Sequence, residues 1–190
     1  MSVKLSKGEN FSLTQTGADL SQVVIELGWT PRATVGADFD LDASALMVGP
    51  GDRALSDEHF IYYNNLRSPE GAVRHEGDDR DGQAKGERIW IDLGRVPAQC
   101  VKIIFTVSIH LAIERRQNFG QVRDAYITVS DGSDDLLLGR FDLAEDYAGE
   151  TAMIFGELYW HRAEWKFRAV EQGYREGLER ILRAHGVDVE

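Results

Sequence analysis

Asp38-Phe39-Asp40-Leu41-Asp42 places three carboxylates at alternate positions. On an extended backbone successive side chains point to opposite faces. The three acids would then share one side, with Phe39 and Leu41 on the other. Asp is a poor strand former. Carboxylates spaced at about 7 Å or less also repel one another unless a positive charge sits among them. Oxygen ligands at that density suit a hard cation, and Ca2+ accepts roughly 6–8 of them. A plain solvent-facing strand with two core residues is the alternative reading. D-x-D-x-D also opens an EF-hand loop, but Ala43 stands where that loop needs Gly, and Gly49 stands where it needs a bidentate Glu. A calcium site here must therefore collect ligands from elsewhere in the chain.

Two stretches could supply them. Asn64-Asn65 follows the aromatic run Phe60-Ile61-Tyr62-Tyr63 and offers neutral carbonyl oxygens. Gly77-Asp78-Asp79-Arg80-Asp81-Gly82 is a turn-rich acidic loop, with Gly86-Glu87 just beyond. Alone, such a loop reads as a soluble turn. With the Asp triplet and the Asn pair it reads as part of a shared metal site.

Charge counting locates the same region. The 190 residues carry 32 acids against 21 Lys and Arg, a net charge of −11. Residues 38–92 hold 13 of the acids and 6 of the bases, and so −7 of that total. So acidic a chain repels phosphate backbones and anionic lipid, which argues against nucleic-acid binding and polybasic membrane docking. No apolar run reaches the ~18 residues of a membrane span, and the first ten residues lack a signal-peptide core. A single cysteine, Cys100, excludes an internal disulfide framework and fits a reducing compartment. The expected location is cytoplasmic.

Enzyme motifs are weak. His59, His75, His110, His161 and His185 form no H-E-x-x-H spacing. His110 reads as a packed strand-end residue, His185 as a core or helix-capping residue, and His75 as a hydrogen-bond partner for a carboxylate of the acidic loop. Cys100 reads as a buried structural thiol. Gly49-Pro50-Gly51-Asp52-Arg53-Ala54 fits G-x-G-x-x-A, but it contains Pro and opens no helix. A non-enzymatic protein is expected. The alternatives are a metal-dependent phosphoester hydrolase, with His75 as its base, and a metal-free adaptor. Trp160, Trp165, Phe167 and Tyr174, with Arg162, Lys166 and Arg168, read either as core or as a partner-binding surface.

The elements that must position these groups read with period two. Val23–Leu27, Ile89–Leu93 and Val101–Ile109 are apolar, β-branched runs. Tyr126–Ser130 and Leu136–Leu143 flank Asp131-Gly132 as a hairpin. Ala152–Tyr159 and Trp165–Val170 form a second pair around Trp160–Glu164. A short helical turn is expected at Ser56–Phe60, with Ser56 as its N-cap. Only the end of the chain is plainly helical. Tyr174, Leu178, Ile181, Leu182 and His185 share a face, and Gly186 stands at the C-terminal cap. The fold class is mainly β: a β-sandwich of two sheets, with few short helices and a C-terminal helix, in one domain spanning residues 1–190.

Several motifs together resemble the TerD family of tellurite-resistance and stress-response proteins. They are Gly36-Ala37-Asp38-Phe39-Asp40-Leu41-Asp42-Ala43-Ser44-Ala45, Tyr63-Asn64-Asn65-Leu66 with Ser68-Pro69, and His75-x-Gly77-Asp78. Others are Gln117-Asn118-Phe119-Gly120-Gln121-Val122, Gly156-Glu157-Leu158-Tyr159 and the run Trp165–Gly173. The resemblance covers nearly the whole chain. It implies a calcium-binding β-sandwich, a cytoplasmic role in stress resistance, and association with other Ter-type proteins, a membrane-linked complex among them. Carried over residue by residue, Asp38, Asp40 and Asp42 match the family's acidic triplet, Asn65 its Asn pair and Asp78 its acidic loop. The family pattern places an acidic cluster after that loop's last Gly. Here Lys85-Gly86-Glu87-Arg88 leaves one acid, Glu87, as the remaining candidate.

Overall fold

The computed structural model describes residues 2–14, 20–31, 39–77, 86–144 and 146–189. The strands are β1 (Val3–Leu5), β2 (Asn10–Ser12), β3 (Gln22–Pro31), β4 (Leu41–Val48), β5 (Phe60–Ile61), β6 (Val73–His75), β7 (Gly86–Asp92), β8 (Lys102–Ile109), β9 (Val122–Asp131), β10 (Leu137–Asp142), β11 (Ala152–His161) and β12 (Glu164–Tyr174). The helices are α1 (Ala112–Arg115) and α2 (Leu178–Ala184). Two six-stranded sheets result. The first runs β1-β10-β9-β3-β7-β6 and the second β2-β12-β11-β8-β4-β5. Among the described residues β1 and β10 pair in parallel and the other strand pairs are antiparallel.

The period-two pattern decides which side chains meet. In β7, Glu87, Ile89 and Ile91 are buried while Arg88, Trp90 and Asp92 are only half-buried. Val23, Ile25 and Leu27 of β3 join Ile89 and Ile91 in a core shared with Ala43, Ala45 and Met47 of β4 and with Ile103, Phe105 and Val107 of β8. The central strands of the second sheet, β4, β8 and most of β11, are buried on both faces. Leu46, Val48, Ile104 and Ile154 on the sheet's outer side pack under Ile181 and Leu182 of α2. This accounts for the near-continuous apolar run of β8, where alternation alone would put polar residues.

The C-terminal helix is shorter than its apolar spacing suggests. Tyr174 ends β12, pairing with Ala152, because the ladder to β11 continues that far. It still packs against the same apolar cluster as Leu178 and Leu182. The helix ends as expected: His185 is its C-cap and Gly186 has φ +75°. Val187 N–H donates to Leu182 O at 3.0 Å and Gly186 N–H to Arg183 O at 3.1 Å, a Schellman closure. The second hairpin is tighter than read from sequence. Its strands extend to His161 and Glu164, leaving only Arg162-Ala163 as the turn, both at positive φ. At Ser56–Phe60 a 3-10 turn forms over Asp57–His59, but Ser56 Oγ meets His59 Nδ1 at 2.7 Å rather than capping the backbone. The single-turn α1 carried no pattern in the sequence.

Candidate metal centre

Asp40 and Asp42 stand at the start of β4 in the second sheet. Leu41 is buried and Phe39 packs on the shared core, while Asp42 points to the other side of β4. The alternation expected of Asp-Phe-Asp-Leu-Asp therefore holds for its described part. Asp38 lies outside the described residues. Asp40 is half-exposed, with Arg115 Nη1 4.0 Å from its Oδ2, and its backbone carbonyl accepts from His110 N–H at 2.8 Å. Asp42 lines a groove of about 340 Å3 with Ser44, Tyr62, Tyr63, Ser108 and His110. The Tyr63 hydroxyl is held above its ordinary range, chiefly by burial and then by the negative fields of Asp42, Tyr62 and Asp40. Both described carboxylates of the triplet thus act on one phenol.

Asn65 closes the turn that presents Tyr63. Tyr62 and Asn65 exchange backbone hydrogen bonds, at 3.0 and 2.9 Å. The Asn65 amide nitrogen donates to Glu58 O at 3.0 Å and Phe60 O at 2.7 Å. Its nitrogen is committed to holding the turn, and Oδ1 is the atom that could face a cation.

Glu87 and His75 meet in a buried hydrogen-bonded clamp. β4 pairs with β5 at Ala45 and Leu46, but β5 is only Phe60–Ile61 and does not reach Ala43. The Ala43 N–H and C=O point off the same edge as those of Ala45, and both would be orphaned inside the fold. Side chains from the first sheet replace the missing strand. Glu87 Oε2 accepts from Ala43 N–H at 2.6 Å, and His75 Nε2 lies 3.1 Å from Ala43 O and 3.2 Å from Glu87 Oε2. His75 Nδ1 accepts from Gly77 N–H at 2.9 Å, which places the ring proton on Nε2, facing both oxygens. His75 is 2% exposed and Glu87 6%, so the clamp is sealed from water. It ties Gly77, the residue before Asp78, and Glu87, just past the acidic loop, to the residue after Asp42. Asp78 itself lies outside the described residues.

Among the described residues no three carboxylate, imidazole or thiol groups converge as a complete metal cage. Of the expected ligands, the structure brings Asp40 and Asp42 together, sets Asn65 on the turn that carries Tyr63, and gives Glu87 a hydrogen-bonded structural role. Tyr63 and Ser44 were not singled out from the sequence. Ser44 could have been, since period two puts it on the face of Asp42. The remaining histidine and cysteine readings agree with the fold: His185 is buried with Nδ1 2.8 Å from Ile181 O, and Cys100 is buried.

Residues 1–185 match the model of the TerD domain. The chain belongs to the TerD family. It is 48% identical over 190 residues to the tellurium resistance protein TerD of Serratia marcescens, covering 99% of both chains. It is 43% identical to general stress protein 16U of Bacillus subtilis (strain 168), covering all of both chains. A crystal structure of a telluride resistance protein (TerD) homologue from Streptomyces coelicolor A3(2) superposes with a TM-score of 0.67 at 20% identity, covering 89% of this chain and 99% of that one. That likeness shows the fold. Among the described residues no helix is long and apolar enough to cross a membrane.

Proposed function

We propose that this TerD-family chain is a non-enzymatic calcium-binding protein of the tellurite-resistance and stress-response type. It acts in the cytoplasm as a Ca2+-dependent interaction module with other Ter-type proteins, a membrane-linked one among them. The observation that carries this reading is the Glu87–Ala43–His75 clamp. It ties Gly77 and Glu87, which flank residues 78–85 in the sequence, to Ala43, which follows Asp40 and Asp42 in the chain. A cation there would relieve the mutual repulsion of Asp38, Asp40, Asp42 and Asp78, with Asn65 Oδ1 as a neutral oxygen on the neighbouring turn. Binding would order the joining loops and present a surface that differs between the two states. The non-enzymatic part is supported by His75. Both its ring nitrogens are engaged in the clamp, so the base that a phosphoester hydrolase would need is occupied. The names of the relatives, tellurium resistance and general stress, support the physiological part.

Calorimetry on metal-stripped protein tests the reading. Saturable Ca2+ binding is expected, stronger than Mg2+ binding because a multi-carboxylate cage fits the larger ion. Asp40→Ala/Asp78→Ala should lose most of that heat. Unchanged heat in the double variant would overturn the ligand assignment.

A further inference from the structure

The outer face of the first sheet carries a feature at odds with the acidic chain around it. A groove of about 510 Å3 is lined by Arg67, Arg74, Arg95, Trp90, Gly71 and Asp92 among others. Arg67 and Arg74 face each other directly across an antiparallel bridge. Like charges opposite one another in a sheet are destabilising. Among the described residues neither guanidinium is ion-paired to a carboxylate. Among the described residues Arg95 is paired with one carboxylate, Asp92, with Nε at 3.7 Å from Oδ2.

The guanidinium groups are held in place. Arg74 sits over the Trp90 ring at 5.4 Å from its centroid, and Arg88 at 5.6 Å. The Trp90 indole N–H donates to Glu76 Oε1, which fixes the ring. Arg67 lies across Gly71, whose φ is +73°. A Cβ at that position would stand 2.6 Å from an Arg67 terminal nitrogen, so only glycine lets the guanidinium rest there. Repulsion that persists among pre-positioned arginines is the arrangement of a site awaiting an anion.

We infer that this groove binds a small phosphate-bearing anion through Arg67, Arg74 and Arg95 beside Trp90. Planar guanidinium groups match phosphate oxygens two at a time. With Asp92 counted, the lining is net positive by two formal charges on a chain of net −11. That contrast favours a compact ligand. A nucleic acid or an anionic bilayer would extend beyond the groove and meet the acidic remainder. The inference is independent of calcium binding.

Pyrophosphate, inorganic phosphate and glycerol 3-phosphate are the probes, titrated into the full chain with the Trp90 indole N–H signal and calorimetry as readouts. Saturable binding that weakens with salt is expected. Arg67→Gln/Arg74→Gln should weaken it by about tenfold or more, the value of one charge-assisted pair. Arg162→Gln on the far hairpin should not change it. The ligand-free double variant should melt no lower than the parent, because its repulsion is gone. That result separates a binding pair from a structural one. Preference for glycerol 3-phosphate points to a phosphate ester, and preference for the inorganic ions to a free oxyanion; both sustain the inference. No saturable binding, equal binding by the double variant, or binding only to phosphatidylserine vesicles or to a Glu-rich peptide would overturn it.

Discussion

A carboxylate buried inside a β-sandwich is costly unless its oxygens are hydrogen-bonded, and Glu87 meets that condition through Ala43 and His75. Its removal orphans the buried Ala43 N–H, while His75 Nε2 keeps Ala43 O as its acceptor. Glu87→Ala should destabilise the calcium-free protein by about 2–4 kcal/mol in urea unfolding. Asp40 is half-exposed, and Arg115 Nη1 stands 4.0 Å from its Oδ2. Asp40→Ala should leave calcium-free stability within about 0.5 kcal/mol while removing the response to Ca2+. Equal losses from the two variants in chelator would contradict the separation of clamp from ligand. Cys100 is a second residue with a defined consequence. Burial, the largest cause, pushes its thiol up to about 11. It should react slowly with thiol reagents at pH 8 when folded and rapidly in urea; equal rates would be the contrary finding. The sign of the pH effect follows. Above pH ~9 the unfolded thiol ionises while the folded one keeps its proton, so this stabilisation is complete below that pH and is lost as pH rises towards 11. Cys100→Ala should remove that part of the alkaline decline.

At the scale of elements, the Arg162-Ala163 turn shows how register overrides local preference. Both residues adopt positive φ to keep Trp160 opposite Trp165 and His161 opposite Glu164. Neither is a favoured residue for such a turn. Ala163→Gly should therefore raise stability by roughly 1 kcal/mol, read as a higher melting temperature; a lower one would show that the Ala163 side chain contributes packing. Gly186→Ala, at φ +75° in the cap of α2, should do the reverse by about 1 kcal/mol. These elements also show what was legible in the sequence. The strand runs, both hairpins and the capping Gly186 follow from residue type and period, because alternation and chain reversal are local. The end of β12 at Tyr174 is not local. Its side chain fits the helical face as well as the strand, and the ladder to Ala152 decides. The clamp was half-legible. His75 reads as a carboxylate partner near the acidic loop, but that the carboxylate is Glu87 and the target Ala43 depends on β5 stopping at Ile61.

At the scale of the molecule, charge is separated more sharply than its sum suggests. Residues 38–92 hold −7 of the −11, yet Arg67 and Arg74, two of their six bases, stand together on the outer face of the first sheet. A count by sequence window merges the two poles, since only the bridge register brings these arginines side by side. The acidic pole is where calcium would act, and two ions would take the formal charge from −11 toward about −7. A ligand that binds only the folded state must stabilise it. At 100-fold excess over Kd the gain is about 2.7 kcal/mol, or roughly 5–10 °C for a chain of this size. The melting temperature of metal-stripped protein with and without Ca2+ is thus the most direct measurement. A rise of that order, reversed by chelator and absent in Asp40→Ala/Asp78→Ala, is expected. A melt indifferent to both Ca2+ and chelator would contradict calcium binding and leave the acidic loops as a solvated surface.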